Sequence, residues 1–350
     1  MNINIATFFY GNNYGALLQS YYLKKFLEKK YLNKNINFYD YQPKKLILRE
    51  EYTPIIKKNP KKFFEGIIRF YKLRNWKNTN IRTKPAFKKK INTSVGHLSI
   101  YGSDEIWNFS NPFFGYDDYF FGKNDKNFKI SYAASFGRAN PKNLKKDIKS
   151  EMKKFLEDFS FISVRDEYSW KILKFDFGIN SEIVLDPTFL IEDDFEKFEN
   201  QIQNKNNCII YGNYFSKQQI QKILKFCNEN KLKLLSIGYY NNWAENNIKL
   251  NPFEFLQLLK SSKIFFTSMF HGVQFAVKFN LNFWYSIDPY RFNKLNYFLK
   301  VLNLKNREIK DNSNFNEEID FMDKEIKLDK WKKFSREFLI NSIDAVEKKR

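Results

Sequence analysis

KIFFTSMFHGVQFAVKFNLNFWYS, residues Lys263 to Ser286, is the stretch that decides how this chain is read. An apolar run, Ile264 to Phe266, breaks at Thr267 and Ser268; His271 and Gly272 then precede a second apolar stretch, Val273 to Phe279. A third run, Phe283 to Tyr285, follows too soon for anything but another strand. The spacing therefore predicts one β-α-β unit with His271 at its loop-to-helix joint. In open α/β sheets the loop at a strand's carboxyl end is where ligands collect. The unpaired amides of a first helical turn favour an anion there by about 0.3–1 kcal/mol. Ser268, His271 and Gly272 are thus candidate ligand contacts, and His271 is the one able to move a proton near neutral pH. The plainer alternative is a histidine that caps the helix or fills a polar gap.

Outward from this unit, the totals set bounds. At 350 residues the chain suits two domains rather than one, and 43% hydrophobic residues suffice for packed interiors. The formal charge of +21 is discounted as a nucleic-acid signature, because heavy use of Lys, Asn, Ile and Phe is what an AT-rich genome gives. No apolar run approaches the ~20 residues of a membrane helix, and MNINIATFFYG lacks the basic start of a signal peptide, so a cytoplasmic protein is expected. Cys208 and Cys227 are the only cysteines and there are only two histidines, so neither a disulfide framework nor a zinc site is indicated.

From the N-terminus, Asn2 to Phe9 reads as a strand and Ala16 to Lys29 as a helix. Between them GNNYG offers Asn13 and Gly15 as either an ordinary turn or a substrate loop. From Gln42 to Lys90, 16 Lys or Arg face only three acids, Glu50, Glu51 and Glu65, with aromatics interleaved. There Lys61 to Arg74 reads as an amphipathic helix with Phe64, Ile67, Ile68 and Tyr71 on its apolar face. A helical insertion with a solvated rim and a surface for anionic lipid or a lipid-diphosphate acceptor both fit. Nucleic acid ranks last, since no recognition motif accompanies the charge.

A strand from His97 to Tyr101 runs into GSDEIWN, which presents Asp104 and Glu105 to a ligand, Trp107 as a flat face for a sugar, and Asn108 beside them. Asp104 is a carboxylate able to accept a hydroxyl proton, or else a turn residue. Arg165 follows the strand Phe161 to Val164; it suits a carboxylate or phosphate, or an ion pair with Asp166 or Glu167. A second βα array begins at Cys208, Arg291 and Lys294 lie beside an apolar helix, and Leu328 to Arg350 closes the chain as an amphipathic helix. The expected fold is α/β, two doubly wound Rossmann-like domains facing a cleft. Residues 1–185 form the first, with the basic aromatic insertion at 42–90; residues 186–325 form the second, and 326–350 pack back on the body.

GNNYGALLQ, GSDEIWN, SYAASFG, SVRDEYS, VLDPTFL and TSMFHG, in this order, resemble the polysaccharide pyruvyl transferase family, from about Ala6 to Arg307. The resemblance implies a fold like the GT-B glycosyltransferases, with the acceptor on the first domain and the donor on the second. It implies that phosphoenolpyruvate gives its enolpyruvyl carbon to sugar hydroxyls of a surface-polysaccharide precursor, forming a pyruvate ketal. That chemistry needs no metal and no cofactor. The family's histidine falls on His271 and its post-strand arginine on Arg165. Many members carry Ser-Arg-x-His where this chain has Met269, and a thioether cannot hold a phosphate. The form of GSDEIWN and SMFHG resembles a subgroup in which this change is usual and in which Arg291 matches a basic position; the resemblance then implies either that Arg291 replaces the charge or that the subgroup uses another donor. The rivals are a GT-B glycosyltransferase using a nucleotide sugar, and a basic glycan- or nucleic-acid-binding protein. A lipid-linked glycan acceptor would bring the enzyme to the inner face of the membrane.

Overall fold

The computed structural model describes residues 1–52, 60–89, 97–192, 206–288 and 292–349. Strands β1 (Ile3–Ala6), β2 (Ile36–Phe38), β3 (Leu98–Tyr101), β4 (Phe128–Ala134), β5 (Phe159–Val164) and β6 (Glu182–Ile183) form a six-stranded sheet in the order β2-β1-β3-β4-β5-β6. A five-stranded sheet, β11-β10-β7-β8-β9, is built from β7 (Asn207–Tyr211), β8 (Lys233–Ile237), β9 (Asn246–Ile248), β10 (Ile264–Thr267) and β11 (Phe283–Tyr285). Every pairing between these strands is parallel. All residues of β3, β7 and β10 are buried, which is why Cys208 to Tyr211 and Ile264 to Phe266 read as unbroken apolar runs rather than alternating ones. The α/β architecture expected from the sequence is the one observed.

Helices fill the crossovers. In the first half they are α1 (Tyr14–Lys30), α2 (Lys44–Tyr52), α3 (Pro60–Asn80), α4 (Lys146–Glu157) and the single turn α5 (Glu167–Lys171). In the second they are α6 (Lys217–Glu229), α7 (Pro252–Lys260), α8 (Phe270–Lys278) and α9 (Phe292–Val301). The last helix, α10 (Met322–Lys348), returns to the first sheet. There Trp331 donates its indole N–H to the Ile183 carbonyl at 3.1 Å, and Ser335 accepts the Leu185 amide at 2.9 Å.

Strand order fixes where a ligand can sit. In the first sheet the chain passes from β1 to β2 on one side and then to β3 on the other, so the order reverses between β1 and β3. In the second it reverses between β7 and β10. At such reversals the flanking crossovers leave on opposite faces and open a crevice beyond the strand ends. The Asn13, Asp104 and His271 loops all lie at these two points.

Two expectations are corrected. The apolar face proposed for the insertion helix is not its packing face: Ile68 and Tyr71 are exposed at 52% and 60%, whereas Leu73, Trp76 and Lys77 are buried. Trp76 meets the rings of Tyr21 and Phe253 at 5.8 and 5.3 Å, so α3 docks through its last turns and runs on to Asn80. Strand β1 is shorter than Asn2 to Phe9, because after Ala6 the chain turns into the crevice and Thr7 donates its hydroxyl to the Ser103 carbonyl at 2.8 Å. Phe64 and Arg291 lie outside the residues whose side chains are described.

Candidate functional site

Both crevices open into one cavity of about 150 Å³. Phe8, Tyr10, Asn13 and Ala16 line it from the loop after β1 and the start of α1, and Asp104 and Glu105 from the loop after β3. Met269, Phe270 and His271 come from the start of α8, with Glu50 from α2 and Lys294 from α9.

The loop after β1 is held from within the motif that follows it. Gln19, fully buried, donates to Thr7 Oγ1 at 3.1 Å and to the Phe8 carbonyl at 3.0 Å. Asn13 caps α1, accepting the Gly15 amide at 3.0 Å. A Cβ at Gly15 would fall 2.1 Å from His271 Nδ1, so the imidazole lies directly on the start of α1 and only glycine permits it. On the other side, Thr267 donates its hydroxyl to the Tyr211 carbonyl at 2.7 Å and accepts the Met269 amide at 3.0 Å, which starts α8. Gly272 lets that helix settle on Thr267, whose Oγ1 would be 2.1 Å from an added Cβ. Ser268 is buried and accepts the Tyr214 amide at 3.1 Å, tying the loops after β7 and β10 together.

Beneath the wall runs a chain of charges. The fully buried guanidinium of Arg165 donates from one nitrogen to Asp186 Oδ2 at 3.0 Å and from the other to Asp104 Oδ1 at 2.8 Å. Asp186 also accepts the Ser103 hydroxyl at 3.2 Å and the Thr188 amide at 3.1 Å. His271 Nε2 stands 3.4 Å from the same carboxylate, near enough for charge attraction but off the line of a hydrogen bond. Burial alone would raise the Asp186 carboxyl; the charges of His271 and Arg165 outweigh it and hold the group well below the usual carboxylate range. Across the cavity Lys294 makes a direct ion pair with Glu105, which also accepts Asn108 Nδ2 at 2.7 Å. Burial opposes ionisation of Glu105, yet Lys294, Asn108 and Arg165 together pull it down to about 2. The Phe270 ring lies 4.6 Å from the Arg165 guanidinium and 5.3 Å from the Lys294 ammonium, a face shared by two cations.

Of the candidates from the sequence, Asn13, Asp104, Glu105 and His271 line the cavity, Gly15, Ser268 and Gly272 support its loops without lining it, and three others change place. Arg165 lies under the wall, bound to Asp104 and Asp186 rather than to Asp166 or Glu167; Asp166 instead caps α5 and accepts the Ser135 hydroxyl at 2.7 Å. Trp107 offers no face to a sugar: it is 0% exposed, packed on Phe121 and Phe136, with its N–H on the Phe120 carbonyl at 2.9 Å. Asn108 is 3% exposed and holds Glu105. Residues given no role in the site from the sequence also belong to it: Asp186, Lys294, Glu50 and Phe270. Asp186 stands in VLDPTFL, where an Asp before Pro signals only a turn; its partners lie 21 and 85 positions away in Arg165 and His271.

The family profile described as polysaccharide pyruvyl transferase matches residues 13–288, which include Asn13, Glu50, Asp104, Arg165, Asp186 and His271. The chain belongs to the polysaccharide pyruvyl transferase family. It is a transferase, and a polysaccharide-modifying one implies a glycan as acceptor. Among curated proteins no sequence match was found. Among solved structures, the transferase is similar to a putative UDP-N-acetylglucosamine 2-epimerase from Listeria monocytogenes, at 9% identity and TM-score 0.49, covering 97% of this chain and 90% of that one. It is also similar to the UDP-GlcNAc 2-epimerase of Methanocaldococcus jannaschii, at 12% identity and TM-score 0.46, covering 94% and 91%. A heptosyltransferase from E. coli is similar at 6% identity and TM-score 0.39, covering 84% and 90%.

Removing Asp186 tests the charge chain. Asp186→Ala leaves Arg165 buried against one carboxylate, and breaking a buried ion pair costs about 3–5 kcal/mol. Denaturant unfolding should show a loss of that size; a loss below about 1 kcal/mol would contradict the network.

Proposed function

We propose that the transferase moves the enolpyruvyl group of phosphoenolpyruvate onto two hydroxyls of a surface-polysaccharide precursor, releasing phosphate and leaving a cyclic pyruvate ketal. The observation that carries this reading is His271, fixed between Asp186 and the start of α1 on the wall of the cavity where both sheets reverse their strand order.

A proton from His271 to the donor's methylene carbon makes a methyl group and leaves the neighbouring carbon electron-poor. One sugar hydroxyl bonds to that carbon and gives up its proton. Phosphate then departs with the electron pair of its C–O bond. A second hydroxyl closes the ketal, and of the two hydroxyl protons one restores His271 and one leaves with phosphate. The donor's negative charge needs a cationic wall in place of the arginine that Met269 replaces. Lys294 and the first-turn amides of α8 supply one; Arg291, outside the described residues, is proposed from the sequence alone as a further donor contact. Arg165 serves by fixing Asp104 and Asp186, and Asp104 orients the acceptor. On this reading the first sheet carries the acceptor and the second the donor.

The acceptor is proposed to be lipid-linked and met at the cytoplasmic face of the membrane. Support comes from α3, where Ile68 and Tyr71 are exposed beside Arg74, and from α2, where Leu48 is exposed beside Lys44 and Lys45. Apolar side chains ringed by cations suit an anionic bilayer, at about 1 kcal/mol per cation near the surface.

His271→Ala should lower phosphate release from phosphoenolpyruvate by about 10² to 10⁴, the range for loss of a general acid, with the fold intact. Near-normal turnover in the variant would remove His271 from the chemistry. Nucleotide released from an activated sugar, with no phosphate from phosphoenolpyruvate, would replace the donor.

Sedimentation with vesicles tests the membrane contact. The protein should pellet with anionic vesicles, less as salt shortens the Debye length to ~10 Å at 0.1 M, and Ile68→Glu with Tyr71→Glu should abolish it. Equal pelleting with neutral vesicles, or none with either, would leave α3 a solvated helix.

A further inference from the structure

We propose that Glu50 is the general base of the transferase, taking the proton from the acceptor hydroxyl as its oxygen bonds to the donor carbon. The inference rests on the reading of the cavity as the place where an acceptor hydroxyl is the nucleophile, and it holds for an enolpyruvyl or a glycosyl donor alike.

Glu50 closes α2 and reaches the cavity that His271, Asp104 and Lys294 also line. It is tied to the loop after β1 twice: its Oε2 accepts the Asn12 amide at 3.2 Å, and its carbonyl accepts Asn12 Nδ2 at 2.8 Å. Gly11 makes this possible. Its φ is +110°, and a Cβ there would fall 2.1 Å from Glu50 Oε2, so the carboxyl lies against bare backbone.

Among the described residues, the other carboxylates of the site are committed to cations. Asp104 Oδ1 accepts from Arg165 and from the Glu105 amide at 2.9 Å, Glu105 is paired with Lys294, and Asp186 is shared by Arg165 and His271. A carboxylate whose charge is neutralised by an adjacent guanidinium or ammonium is a poor proton acceptor. Glu50 instead holds a backbone amide, and the charged groups facing it come from several elements. They are Asp104 from the loop after β3, Arg69 from α3 and Arg49 from α2 itself, with His271, Lys294 and Glu105 on the same cavity. Arg69 is occupied, donating to the Asn12 carbonyl at 2.7 Å and the Gly238 carbonyl at 2.6 Å. Burial pushes the Glu50 carboxyl up to about 7; the Asn12 amide opposes this, the charge of Asp104 adds to it, and Arg49 and Arg69 offset part. A base of that strength is near the optimum for proton transfer at neutral pH. The balance is complete within the reaction: the hydroxyl's O–H breaks as its oxygen bonds to carbon, the proton rests on Glu50, and it leaves with the phosphate or nucleotide released.

Turnover against pH, on whichever donor the wild type uses, is the test, with Glu50→Gln and Glu50→Asp alongside. The wild type should gain activity as pH rises through about 7. Glu50→Gln should lose about 10² to 10⁴ in turnover and lose that rise, and Glu50→Asp should keep the rise at a reduced rate. If the wild type turns over and Glu50→Gln matches it in rate and profile, Glu50 is not the base, while the proposed reaction stands. If no donor supports turnover in the wild type, the proposed reaction falls, and the carboxyl is read from stability. A folded-state value above the unfolded one stabilises the protein at low pH and is lost as pH rises. The wild-type melting midpoint should therefore drop relative to Glu50→Gln between about pH 4.5 and 7, and parallel midpoints would overturn the inference.

Discussion

The carboxylate of Asp186, buried between Arg165 and His271, is the contact on which the rest of the site depends. Bringing a guanidinium into a dry interior costs several kcal/mol, and it is tolerated only when carboxylates meet its donors in good geometry. Here two do, at 3.0 and 2.8 Å, and each comes from a different part of the chain. Asp104 lies on the loop after β3, Asp186 on the passage after β6, and Arg165 at the end of β5. Since Asp186 also faces His271, at the start of a helix of the second sheet, one buried cation couples loops carried on both sheets. Moving Asp104 or Asp186 would leave the Arg165 guanidinium, which is 0% exposed, short of a counter-charge.

That constraint explains why the glycines sit where they do. Asp186 faces one side of the imidazole at 3.4 Å and the start of α1 lies on its other side, where a side chain at position 15 would collide with it. Gly11 grants the same closeness to Glu50, and Gly272 to Thr267. Glu50 and His271 are thereby packed directly against backbone at the edge of the cavity, and a reacting group held in place in this way avoids the cost of being ordered during the reaction.

Much of the frame was legible in the sequence. Lys263 to Ser286 announces strand, helix and strand by the lengths of its apolar runs, and the structure has β10, α8 and β11 there. Strand β9, with the sequence Asn-Asn-Ile, carries no such pattern and is set by its pairing with β8. The face of α3 was misread because its sequence offers two apolar stripes, and only contact with Tyr21 and Phe253 selects the one through Leu73 and Trp76. Trp107 was misread for a related reason: an aromatic after a turn suits a sugar or a core equally until Phe121 and Phe136 are seen to cover it. Asp186, Lys294 and Glu50 were beyond reach because their meaning is their partners, which lie far away in the sequence. Residue type tells that a carboxylate is present; only the fold tells whether it faces an arginine, a lysine or a glycine.

Transfer carried out in deuterated water is the most direct test of the account. If His271 delivers a solvent-derived proton to the methylene carbon of phosphoenolpyruvate, the methyl group of the ketal formed on the glycan must carry one deuterium, read by mass spectrometry of the product. A ketal methyl without deuterium, or a glycan product lacking the pyruvyl group, would contradict it.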